Sequence, residues 1–146
     1  MPRPLTVQER HELLNEPHVA VLSVASDDAR PPLTVPVWYA LQDDGTLFFF
    51  TGTTGEPVRK TRLIERAKAV TLVVQRETLP YRYATIECSL AELHRPPSAE
   101  QMRRVVSRYL PEQAEGFVQD VLSRATPHLV GFTLKPARWN TLDFAE

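Results

Sequence analysis

Apolar residues recur along this chain in two rhythms, and each change of rhythm marks an element. Thr6-x-x-Glu9 is a capping-box pattern followed by Leu13 and Leu14, so a short amphipathic helix is predicted over 6–15, stopped near Pro17. From Val19 the residues turn β-branched, and a strand over 19–25 ends at the polar Ser26-Asp27-Asp28 turn. A second strand is predicted over 33–41; the Gln42-Asp43-Asp44-Gly45 turn follows, and 46–51 returns as the other arm of a hairpin. Pro57 suits the first turn of a helix running to about Ala67. Strands follow over 69–75 and 81–93, and Ser98 caps a helix with Met102, Val105, Val106 and Tyr109 at helical spacing. A further helix over 112–124, a sixth strand over 128–134 and a tail over 135–146 complete the reading.

Strands in hairpin order with helices inserted between them imply an α+β fold, a six-stranded antiparallel sheet curled into a small barrel with short flanking helices. Pro36 cannot donate to a ladder, so the second strand is expected at an irregular or edge position where something other than a strand docks. A length of 146 residues fits one domain over 1–146, and 42% hydrophobic with 24% charged residues fits a folded chain. A net charge of -1 leaves no positive excess for a phosphodiester backbone, so nucleic acid is not an expected partner. No apolar run approaches a membrane span, and the single Cys88 fits a reducing compartment; the expectation is a cytoplasmic protein with no membrane partner.

Familiar catalytic patterns are absent. His11, His18, His94 and His128 share no metal-ligand spacing, and neither a G-x-S-x-G elbow, a P-loop nor a G-x-G-x-x-G fingerprint occurs. Cys88 falls inside a strand as a small hydrophobe, and the pairs Asp27-Asp28 and Asp43-Asp44 sit in turns. What stands out is the junction at 51–66. Thr51, Thr53 and Thr54 precede a helix start, and Arg59, Lys60, Arg62 and Arg66 crowd its first turns, an arrangement that suits a phosphate. Arg59, Arg62 and Arg66 also share one helical face, so a solvated stripe explains them equally well. Trp38, Tyr39, Phe48, Phe49 and Phe50 give the hairpin more aromatic mass than one sheet face needs, so either core packing, a planar ligand or a partner subunit covers the other face.

The order Leu33-Thr-Val-Pro-Val-Trp-Tyr39, Leu47-Phe-Phe-Phe-Thr-Gly52, Arg59-Lys-Thr-Arg62 and Pro80-Tyr-Arg-Tyr-Ala-Thr-Ile-Glu87 resembles the pyridoxamine 5'-phosphate oxidase-like split-barrel family, in its flavin- and deazaflavin-dependent branch. That resemblance implies a split β-barrel, a homodimer, and FMN or the deazaflavin F420 bound at the dimer interface. Val35, Pro36, Val37 and Trp38 would face the ring, with Phe50 and Thr51 continuing the site. Arg59, Lys60 and Arg62 would hold the phosphate, and Tyr81, Arg82 and Tyr83 would reach in from the partner subunit. The activity implied is that of an oxidoreductase acting on a small-molecule substrate; the alternative is a non-catalytic flavin, deazaflavin or haem carrier of the same fold. The Arg-Leu-His tail of true pyridoxamine phosphate oxidases is missing here, where the chain reads Arg138-Trp-Asn140, so vitamin B6 oxidation is not expected.

Overall fold

The computed structural model describes residues 1–52, 56–123 and 129–145, with Glu56 and Pro57 described by their backbone. Helix α1 (Val7–Asn15) starts as its sequence requires: Thr6 Oγ1 accepts from Glu9 N at 3.1 Å, and Glu9 Oε1 accepts from Thr6 N at 2.8 Å. The strands are β1 (Ala20–Val24), β2 (Leu33–Val37), β3 (Ala40–Leu41), β4 (Leu47–Gly52), β5 (Ala69–Arg76), β6 (Arg82–His94) and β7 (Leu129–Asp143). Helix α2 (Glu56–Ala67) lies between β4 and β5, and α3 (Ala99–Tyr109) and α4 (Ala114–Leu122) lie between β6 and β7. Ser98 caps α3 with a second reciprocal box involving Gln101.

The strands form one antiparallel sheet in the order β2-β1-β5-β6-β7-β4-β3. Its two edge strands are consecutive in the chain, joined only by Trp38 and Tyr39. In a flat sheet β2 and β3 would lie about 29 Å apart, six strand spacings of about 4.8 Å. The three Cα steps from Val37 to Ala40 reach about 11 Å at most. The sheet must therefore curl until its edges nearly meet, and because β2 and β3 do not pair, a split is left between them.

Two expectations change. The sheet has seven strands rather than six, because the continuous run 33–41 is cut at Trp38-Tyr39: its first part pairs with β1 and its last two residues with β4. The long partner of β4 is β7, from Leu47↔Leu134 to Gly52↔Leu129, so the expected hairpin survives only as the short β3/β4 ladder. The tail is not a tail, because β7 continues through Pro136 to Asp143 along β6. A shift of register between Glu87 and Cys88 leaves Ala137 without an opposite residue, a bulge that admits the proline beside it. Pro36 does lie in an edge strand, since β2 pairs only with β1.

Alternation sorts the side chains. Leu22, Leu47, Phe49, Leu72, Ile86 and Phe132 fill the barrel, and α1 and α2 add Leu13, Leu14, Leu63 and Ile64 to the same core. On the other face of β4, Phe48 packs with Ala40 and Val105, and Phe50 borders the Met102–Val118–Val121 cluster. The aromatic surplus of the hairpin is thus covered by the chain's own α3 and α4. Across β2, β1, β5 and β6 the outward row Pro36, Val21, Val73, Thr85 stays at the surface. No helix among the described residues is long and apolar enough to cross a membrane.

Close approach fixes one glycine. A Cβ on Gly131 would lie 2.7 Å from Phe48 Cζ and 3.1 Å from Pro97 Cβ. Phe48 is packed against Ala40 and Val105 and has little room to yield. Gly131→Ala should therefore cost about 1–3 kcal/mol, measured by urea unfolding; an unchanged midpoint would show that the ring can move aside.

Candidate functional site

A cleft of ≈ 670 Å³ opens beside the split between β2 and β3. That volume is of the size that encloses a small-molecule ligand. Its floor is Pro36, Val37 and Trp38, where the chain leaves β2. Phe50 and Thr51 line it from the end of β4, Lys60 from α2, and Val105, Val106, Leu110, Gln113 and Phe117 from α3, α4 and the link between them, with the Phe50 and Phe117 ring centroids 6.0 Å apart. Val19, just before β1, completes the lining.

The floor is held from behind. Trp38 stacks on Tyr109, the last residue of α3, with ring centroids 4.6 Å apart and planes 13° from parallel. The Tyr109 hydroxyl donates to the carbonyl of His18 at 2.8 Å and accepts from the Tyr39 N–H at 3.3 Å, so it ties the crossing to the start of β1. Tyr39 points the other way, into the barrel, and its hydroxyl donates to the Leu14 carbonyl at 2.9 Å. Burial pushes that phenol's pKa up, so it stays a donor. Arg108 lies 4.7 Å over the Tyr39 ring and donates to the carbonyls of Leu14 and Glu16 at 3.0 and 2.9 Å.

Charge in the cleft is sparse. Lys60 is half-buried, burial lowers its pKa, and no acidic partner offsets that cost among the described residues. The cleft therefore offers an ammonium without an acidic partner among the described residues, together with the Thr51 hydroxyl and the aromatic rings of Trp38, Phe50 and Phe117. An anion joined to a flat apolar body matches that set.

Six of the residues expected from the sequence line this cleft together: Pro36, Val37, Trp38, Phe50, Thr51 and Lys60. Val35 alternates inward and packs against the barrel core. Arg59 Nη2 donates to Ser26 Oγ at 3.4 Å, and Arg62 pairs with Asp27, so both turn toward the β1–β2 turn and neither lines the cleft. Arg66 reaches the Ser26 carbonyl from the same helix face. Thr53, Thr54 and His128 lie outside the described residues. Val105, Val106, Leu110, Gln113 and Phe117 were not foreseen; the helical stripe shared by Val105, Val106 and Tyr109 was the available signal, but nothing local says which cavity it walls.

Tyr81, Arg82 and Tyr83 occupy the start of β6 and its approach. Tyr81 donates to Gln75 Oε1 at 2.9 Å and leans on Tyr83 and Phe144. Arg82 is engaged within its own chain: it reaches Asp143 at 3.2 Å, Glu9 at 3.1 Å and Glu12 at 3.5 Å. Arg3 joins the same network through Glu9 and Asp143, and Asp143 is fully buried. The arrangement locks the N-terminal segment onto the end of β7. Removing Arg82 leaves a buried carboxylate with one half-exposed partner, so Arg82→Met should lose about 3 kcal/mol of stability by urea unfolding. Unchanged stability would free Arg82 from this role.

Cys88 is buried in β6, and burial pushes its thiol up to about 12. Alkylation by iodoacetamide at pH 8 should be slow in the folded protein and fast in urea; prompt labelling of the folded chain would contradict that burial. No cluster of three metal-ligating side chains occurs among the described residues.

Residues 6–143 match the family model described as pyridoxamine 5'-phosphate oxidase. No curated protein matches the chain significantly. Among solved structures, the chain is similar to a conserved hypothetical protein from Mycobacterium tuberculosis, with TM-score 0.73 and 19% identity over 96% of this chain and 86% of that one. An F420 reductase aligns with TM-score 0.67 and 21% identity over 89% of this chain and 94% of its own. An FAD-binding protein from Mesorhizobium loti aligns with TM-score 0.66 and 16% identity over 99% of each chain. At these identities the likeness is one of fold.

Proposed function

Because the chain belongs to the pyridoxamine 5'-phosphate oxidase family, we propose that it binds FMN or the deazaflavin F420 in the cleft and acts as an oxidoreductase on a small organic molecule at a homodimer interface. The observation that carries this reading is Lys60, a half-buried ammonium on the wall of an aromatic cleft with no acidic partner among the described residues. A phosphate there would restore the charge that burial disfavours, through a charge-assisted hydrogen bond. Thr51 can donate to the same anion. Pro36 and Trp38 present a flat apolar floor to the ring, and the Tyr109 stack keeps that floor in place before a ligand arrives.

Bound there, either coenzyme supplies the hydride chemistry itself. The protein's part is then to bind, to orient and to keep water from the reacting face, which fits a cleft whose described lining holds one charged side chain and no acid–base pair. The other expected arginines have a lesser place in this reading: Arg59 and Arg62, on α2, reach Ser26 and Asp27 of the β1–β2 turn. A haem carrier would need an axial His, Cys, Met or Tyr; among the described residues none lines the cleft. The family's B6 chemistry is not proposed, since Arg138-Trp-Asn140 stands where true pyridoxamine phosphate oxidases carry Arg-Leu-His, and these residues pair with β6.

The homodimer rests on the outer sheet. Pro36, Val21, Val73 and Thr85 form one row running from the cleft floor across four strands, and Val21 is 38% exposed. Tyr83, two residues before Thr85 on the same face of β6, is at the far side of that row. A second copy packed on the row would cover it and bring its own Tyr81 and Tyr83 toward the cleft. A lone, buried cysteine suits a reducing, cytoplasmic setting.

Titration of the purified protein with FMN and with F420 should give saturable binding of one of them to a species of twice the chain mass by sedimentation. Lys60→Ala should weaken that binding by about 1.5–3 kcal/mol, tenfold or more, with the unfolding midpoint preserved. An unchanged dissociation constant would remove Lys60 from the site. Anaerobic reoxidation of the bound, reduced coenzyme by an added acceptor distinguishes an enzyme from a carrier.

A further inference from the structure

The cleft has a lining of two kinds. Lys60 and Thr51 bring charge and a hydroxyl from α2 and β4, whereas the end of α3 and the start of α4 bring Val105, Leu110, Phe117 and Gln113. Leu110 and Phe117 are 40% and 37% exposed, apolar area that a flat ligand would take out of water. Gln113 stands at the N-cap of α4, is exposed and lines the cleft, and its side chain makes no capping hydrogen bond, so its amide is not committed to the helix start. No carboxylate lines the cleft among the described residues, and Lys60 is its one cation.

These facts restrict what can sit beside a bound coenzyme. With the coenzyme's phosphate on Lys60, the one compensating charge among the described lining residues is already used. A second anion would be desolvated against Val105, Leu110 and Phe117 without a partner. An amide, carbonyl or hydroxyl on an otherwise apolar molecule would instead find the Gln113 amide. Resting on the coenzyme reading above, we infer that the α3–α4 wall selects an uncharged, flat, apolar substrate with one neutral hydrogen-bonding group directed at Gln113, and turns away carboxylates and phosphate esters.

A matched pair of probes, 2-naphthamide and 2-naphthoate, tests this by calorimetric titration of the full chain, first saturated with FMN or F420 and then coenzyme-free. In the loaded protein the naphthamide should bind on the order of a hundredfold more tightly than the naphthoate. Gln113→Leu should weaken the naphthamide about fivefold, the worth of one neutral hydrogen bond. In the coenzyme-free chain the order should reverse, because the naphthoate carboxylate can take Lys60, and Lys60→Ala should abolish that reversal. Naphthoate binding as tightly as naphthamide to the loaded protein, or neither compound binding, would overturn the inference and leave the coenzyme reading standing. Failure of the chain to take up either coenzyme, read separately from its absorbance, would overturn both.

Discussion

The two-residue crossing at Trp38-Tyr39 is the constraint on which the rest of the structure depends. It joins opposite edges of a seven-stranded sheet, and so short a link is compatible only with a sheet that has curled through nearly a full turn. Closure makes one interior, into which α1 and α2 also drive leucine and isoleucine side chains. Because β2 and β3 meet without pairing, closure also leaves a split. A cleft at that split is a consequence of the topology rather than an addition to it.

The crossing divides two aromatic residues between inside and outside. Tyr39 goes into the core and hydrogen-bonds the end of α1, while Trp38 stays at the surface against Tyr109. Arg108 and Tyr109, adjacent on the last turn of α3, grip both sides of this division: one lies over the Tyr39 ring, the other under Trp38. The cleft floor is thus held by α3 rather than by sheet hydrogen bonds, which is why a strand interrupted by proline can still present a rigid surface. The same helix also lines the cleft with Val105 and Val106, and the chain beyond it adds Leu110, Gln113 and Phe117.

Local chemistry was readable where it acts locally. Thr6 with Glu9, and Ser98, announced two helix starts, and the β-branched runs at 19–25 and 69–75 announced strands that form over 20–24 and 69–76. The cut in 33–41 was not readable, because the hydrophobic pattern runs through it and only the closure of the whole sheet requires it. The tail was misread for a local reason: Pro136 ends a strand by rule, and a bulge opposite Glu87 and Cys88 suspends the rule. In the site, Pro36, Trp38, Phe50, Thr51 and Lys60 were legible as a proline-broken strand, an aromatic arm and a basic helix start. Arg59 and Arg62 lie on the same helix as Lys60, yet they face the Ser26–Asp27 turn, a tertiary contact that spacing does not encode. Val35 is one pleat out of step with its neighbour Pro36. Arg82, placed at a partner's site by resemblance, binds carboxylates of its own chain because Glu9 and Asp143 converge on it only after folding.

The central claim is that the Lys60 ammonium is strained by burial until a coenzyme's anion meets it. The chain has three lysines, Lys60, Lys68 and Lys135, so NMR titration of 13C-labelled lysine side chains can follow each one. The account predicts that Lys60 titrates below the ordinary lysine range in the free protein and moves up when FMN or F420 binds, with Lys68 and Lys135 unmoved. A Lys60 signal that keeps the same midpoint with and without saturating coenzyme would contradict it.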